Sequence, residues 1–135
     1  MAMENITNEQ TGTAWVIDMD WYEKNHRSFY ELAHNSLCSK CVEKLGKKKK
    51  KTTESDILAA IKDCCAQTPE YVTARMPLME SVFRIIIGNG NQPMSVSEIS
   101  KQLNERRGGN AYVTEPALLT RVLSNDKWYG FKLAA

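Results

Sequence analysis

Four cysteines carry the chemistry that residue type and spacing single out in this chain. Cys38-Ser39-Lys40-Cys41 places two thiols two residues apart, and Cys64-Cys65 adds a vicinal pair further along. Thiolates are soft ligands, and zinc takes four Cys or His ligands in a tetrahedron. The ligand set this suggests is Cys38, Cys41, Cys65 from the vicinal pair, and His34, one turn before Cys38. Helix geometry raises an objection. In one straight helix His34 and Cys41 stand about 10 Å apart along the axis, so a single ion reaches both only if the helix breaks at Cys38. Cys64 and Cys65 likewise diverge on a helical surface, so one of them is expected to ligate and the spacing does not decide which. Zinc, reduced buried thiols and a disulfide are all open, in that order. A disulfide ranks last because a cytoplasmic chain keeps its thiols reduced. A redox dithiol is disfavoured, since no βαβ pattern of the thioredoxin kind surrounds the pair.

No catalytic constellation accompanies the cysteines. His26 and His34 lie near Asp18, Asp20 and Glu23 in sequence, yet no nucleophile elbow, phosphate loop or metal-hydrolase motif is present. Gly88-Asn89-Gly90-Asn91 follows a helical pattern, whereas a phosphate cradle precedes a helix. The reading is therefore not an enzyme, with no small-molecule substrate.

The elements that must position the cysteines can be read from periodicity. Trp15, Ile17, Met19 and Trp21 alternate with mostly polar neighbours, as a short strand or an extended arm does. Ser28 and Glu31 fit a capping box opening a helix to about Leu45, with Phe29, Leu32, Ala33, Leu37 and Cys41 inward. Lys47 to Lys51 is a five-lysine loop, read as solvated charge with phosphate contact as the alternative. Thr53 caps a second helix to about Ala66, closed by Gln67-Thr68-Pro69.

The second half is more strongly patterned. Pro77 opens a helix carrying Leu78, Met79, Val82, Phe83, Ile86 and Ile87 at three- and four-residue spacing. Ser95 and Glu98 open another, with Val96, Ile99 and Leu103 inward and Gly108-Gly109 at its end. Thr114 is the expected cap of a third, whose core positions are Leu118, Leu119, Val122 and Leu123. Tyr129, Phe131 and Leu133 then alternate along a strand, leaving Trp128 outward.

Helix, link, helix, turn, helix, strand is the winged-helix order of the helix-turn-helix class. Through Gln92-Pro93-Met94-Ser95-Val96-Ser97-Glu98-Ile99, Val113-Thr114-Glu115-Pro116-Ala117 and Trp128-Tyr129-Gly130-Phe131-Lys132-Leu133, the chain resembles the winged-helix modules of the HARE-HTH type. The resemblance covers roughly residues 75–135 and none of the first half. With the helices read in the first half, it gives the expected fold, mainly α: a helical N-terminal segment, then a winged-helix domain with a short C-terminal wing strand. One departure stands out, because Ser124 to Lys127 leaves little room for a two-stranded wing. The implied organisation is a flexible tail and extended arm over 1–24, a two-helix segment with a zinc site over 25–74, and the winged helix over 75–135.

Charge and composition set the partner. With 135 residues, 42% hydrophobic and 25% charged, the chain is an ordinary globular protein, and its net charge of +2 alone does not mark a nucleic-acid binder. Residues 75–135, however, hold eight basic against five acidic residues, a net +3. The third helix would be the recognition helix, with Glu115, Ala117, Thr120, Arg121 and Ser124 outward. Duplex DNA is the expected partner, met mainly through phosphates by Lys101, Arg106, Arg107, Thr120, Arg121, Lys127 and Lys132. The alternative is an adaptor docking on a protein of the transcription machinery, since fold alone does not fix function. The polar, cation-free start lacks the features of a secretion signal, and no apolar run is long enough for a membrane span, so the cytoplasm is the expected location.

Overall fold

The computed structural model describes residues 14–46, 52–108 and 114–134. The expected tail over most of its length, the five-lysine loop and the Gly109–Val113 turn lie outside the described residues. No described helix is long and apolar enough to cross a membrane.

Seven α-helices among the described residues surround a three-stranded antiparallel sheet. Strand β1 is Ala14–Ile17, β2 is Met94–Ser95 and β3 is Phe131–Leu133. The first segment occupies the middle of the sheet. Trp15 pairs with Met94 on one side and Leu133 on the other, and Ile17 pairs with Phe131. Burying Trp15 and Ile17 on one face needs only strand alternation. The alternation through Trp21 does not continue as strand. Asp18 accepts from the Asp20 amide and caps helix α1, Met19–Lys24, which turns the chain back over β3.

Asn91 extends the pairing beyond β2. Its side-chain oxygen accepts from Ile17 N at 2.8 Å, and its amide donates to Ile17 O at 3.1 Å. Asn91 itself has φ +55°, a region that asparagine tolerates better than most residues.

Between β1 and β2 run α2 (Phe29–His34), α3 (Ser39–Gly46), α4 (Glu54–Asp63) and α5 (Leu78–Gly88). Ser28 and Thr53 cap α2 and α4 as their sequence contexts require, with Thr53 and Asp56 completing a reciprocal box. Where one long helix was expected from Ser28, the chain instead breaks at Asn35–Cys38. Helix α4 also stops short of Ala66 and passes into 3₁₀ turns at Cys65–Gln67 and Pro69–Tyr71.

After β2 come α6 (Val96–Arg106) and α7 (Pro116–Ser124). Ser95 caps α6 through the Glu98 amide at 3.2 Å. Thr114 does not cap α7. It is buried, its N–H donates to Asn104 and its carbonyl accepts from Ser100, so Glu115 holds the cap position without a side-chain bond. Leu118 and Leu133, expected inward, are 41% and 56% exposed. The stripe of α7 is narrower than its apolar residues suggest, because Leu119 and Leu123 alone fill the groove beneath it. Beyond Phe131, β3 overhangs the core.

One buried cluster joins all of this. It runs from Trp15 and Ile17 through Phe29, Ile57 and Ile61 to Phe83, Ile99, Leu103 and Leu119. The described parts of the segments 1–24, 25–74 and 75–135 thus share a core, and β1 lies hydrogen-bonded between strands of the last.

Candidate metal centre

The break between α2 and α3 and the stop at the end of α4 bring all four cysteines together. Cys38 immediately precedes α3 and Cys41 lies in its first turn, so the two-residue spacing puts both thiols at one helix start. Across from them Cys64 ends α4 with φ −133° and ψ −65°, well off helical geometry, and Cys65 opens a 3₁₀ turn. That kink removes the divergence which an unbroken helix would impose on neighbouring side chains. The four Sγ atoms lie within 4.8 Å of one another.

The donor set fits a metal ion. Zinc–sulphur bonds of about 2.3 Å in a tetrahedron place sulphurs about 3.8 Å apart. Cys38 Sγ stands 3.9 Å from Cys64 Sγ and 3.4 Å from Cys65 Sγ. Both distances are far from the ~2.05 Å of a disulfide, and all four cysteines are free. The Cys38 amide donates to Cys65 Sγ at 3.1 Å, a bond that stabilises sulphur as thiolate. A hydrogen bond from the Cys41 backbone, with further ones from the neighbouring thiols, lowers the Cys38 pKa to about 7 against its burial. Burial pushes the Cys41 and Cys65 thiols up. Packed thiols without a counter-charge resist ionising together, and a cation among them reverses that.

His34 is not in this set, and Cys64 takes its place. The histidine ring stacks on Tyr30 at 5.9 Å, on the far side of the break from Cys38. Cys38 and Cys64 are half-buried and line an open cleft of about 590 Å³ with Tyr71 and Arg84, so the site is reachable from solvent.

Arg84, which the sequence reading passed over, positions both cysteine segments. From α5 its Nη2 donates to Asn35 O at 3.1 Å, inside the break before Cys38, and its Nη1 donates to Tyr71 O at 3.0 Å, beyond Cys65. Its guanidinium also lies over the Tyr71 ring, whose hydroxyl donates back to the Arg84 carbonyl. The signal was a lone cation inside the apolar run Val82 to Ile87. Gly88 completes the seat, since a Cβ there would come within 3.0 Å of Ala66 and 3.2 Å of Tyr71.

The residues expected at DNA divide into two groups. Arg106 donates to Ala66 O at 2.8 Å and lies over Tyr71, while Arg107, just past the end of α6, reaches Ala74 O at 3.5 Å and Met76 O at 3.3 Å. Both therefore tie α6 to the cysteine-bearing half. Thr120 returns its hydroxyl to Pro116 O within α7. Lys101, Arg121 and Lys127 are exposed, and Lys132 is exposed with a 3.8 Å contact to Asp18.

Set against family models, curated proteins and solved structures, the chain matches none of them.

Proposed function

We propose that the chain is a non-catalytic binding module, a zinc-stapled winged helix that associates with duplex DNA mainly through phosphates. In this reading α5, β2, α6, α7 and β3 form the winged helix. Strand β1 supplies the wing strand for which Ser124 to Lys127 leaves no room. Cys38, Cys41, Cys64 and Cys65 would hold one zinc ion, which supplies a cross-link between the start of α3 and the end of α4 and so a fixed seat for the first half. The observation that carries the DNA reading is that Lys101, Arg121, Lys127 and Lys132, on α6, α7 and the wing, all reach solvent, among the exposed Glu98, Glu105 and Glu115.

Four such contacts imply weak binding, little sequence preference and a log–log salt slope of about −3.6. A titration of labelled duplex at low and raised salt tests this by anisotropy. Arg121→Ala should weaken binding more than Lys62→Ala, because Lys62 lies on α4. Absence of binding at low salt would end the reading.

A second reading, an adaptor docking on a protein of the transcription machinery, is favoured by a different observation. Arg106 and Arg107 are spent on internal carbonyls, and Leu118 and Leu133 lie open. A saturable protein partner with no DNA affinity would establish it instead.

A further inference from the structure

Trp128 is the most exposed large apolar side chain among the described residues, at 60%. Its backbone is nonetheless held firmly. The Asp126 carboxylate accepts from the amides of Trp128 at 2.9 Å, Tyr129 at 3.1 Å, Gly130 at 2.9 Å and Phe131 at 3.3 Å. Gly130, at φ +71°, presses so closely on Trp21 that a Cβ would come within 2.9 Å of that ring. The ring of Trp128 is held as well, since the Arg27 guanidinium lies 4.9 Å from its centroid and 5.9 Å from that of Trp21. The indole thus stands on a hydrogen-bonded backbone with a cation against it and apolar surface still open.

We infer that Trp128 is a stacking platform for an unpaired base, so that the chain prefers single-stranded nucleic acid to blunt duplex. The inference rests on the phosphate contacts of the reading above and revises its strand form, with duplex as the weaker ligand. Base–aromatic stacking tolerates any base and works beside cations that track the phosphates. Lys127 adjoins the ring in sequence, and Arg27 backs it while adding charge. Helix α1 also exposes Asp20 and Glu23, so the open indole and its two cations carry the assignment, not a uniformly positive surface. A duplex buries its base faces and can offer this ring only its ends.

The test titrates the full chain at low salt with a short oligothymidylate and with a blunt duplex, following strand anisotropy and tryptophan emission. The single strand should bind more tightly and quench emission. Trp128→Ala should weaken single-strand binding roughly tenfold and remove most of the quench, with duplex affinity and thermal stability unchanged. Trp128→Phe keeps a stacking ring and should retain most of the affinity. If duplex binds and Trp128→Ala leaves single-strand affinity unchanged, the platform is wrong and the phosphate reading survives. If neither strand form binds, both fall. Quenching by a proline-rich peptide and by no oligonucleotide would overturn the assignment in favour of peptide docking.

Discussion

Arg84 shows how a few side chains hold the cysteine site in shape. It is a charge on the most apolar helix, and it spans two carbonyls that sit beside the two cysteine pairs. Replacing it by Met keeps the stem and removes the fork. The expected cost is about 1–3 kcal/mol in denaturant unfolding, because the part-buried Tyr71 carbonyl and the more exposed Asn35 carbonyl both lose a charged donor. Zinc should also leave faster to a chelator, since Asn35 to Cys38 and Cys65 to Tyr71 are then free to shift. The ligand assignment has its own check. Cys64→Ser should lower bound zinc well below one per chain, whereas His34→Gln should leave it unchanged. The reverse result would restore the ligand set that spacing alone favoured. Asn91 plays for the sheet the part that Arg84 plays for the cysteine cluster. Asn91→Ala strips both partners from the Ile17 backbone and should cost about 1–3 kcal/mol, read from the shift in urea midpoint.

At the scale of elements, β1 does the most for its length. Deleting residues up to Ile17 would remove the central strand and leave β2 and β3 with nothing to pair on. That deletion should abolish cooperative thermal unfolding by circular dichroism, whereas loss of a mere tail would leave it intact. Within the helical layer, Phe83→Ala and Leu119→Ala should each cost on the order of 2–5 kcal/mol, since both are buried in the one core. Much of this layer is legible from sequence. The Ser28, Thr53 and Ser95 caps, the apolar stripe of α5 and the outward Trp128 follow from local patterns acting over one or two turns. What is not legible is non-local. The helical pattern runs through Asn35 to Leu37 without a breaker residue. The break there is held by Arg84 on α5 and by the Cys38–Cys65 contact, neither of which periodicity can register. Divergence on a helix argues against Cys64 and Cys65 ligating together, and the non-helical backbone at Cys64 removes that objection. The partner of β1 lies about as far away in the chain as it could, so alternation revealed the strand and not its neighbours.

Across the whole molecule, the shared core makes the cysteine site and the α5–α7 layer depend on each other. Arg106 and Arg107 reach from α6 into the cysteine-bearing half, and Tyr71 stands between Arg84 and Arg106. Metal loss should therefore loosen the first half and be felt in the packing of α6. The buried phenols add a pH limit. Burial raises Tyr22, Tyr71 and Tyr129 above their ordinary value near 10. Their neutral forms favour the fold, so this contribution is complete below pH 10 and declines as pH rises beyond it. Stability measured in urea should fall from about pH 10 upward, and less steeply in Tyr71→Phe relative to its own value at neutral pH.

The central claim is that four thiolates from two kinked segments share one zinc ion, and it is tested most directly by counting metal and thiols on the same preparation. Native mass spectrometry of the purified full chain, followed by thiol titration before and after a strong chelator, gives both numbers. The account predicts one zinc per chain, cysteines protected until the chelator is added, and four reactive thiols afterwards. Folded, metal-free protein whose four cysteines all react at once would contradict it.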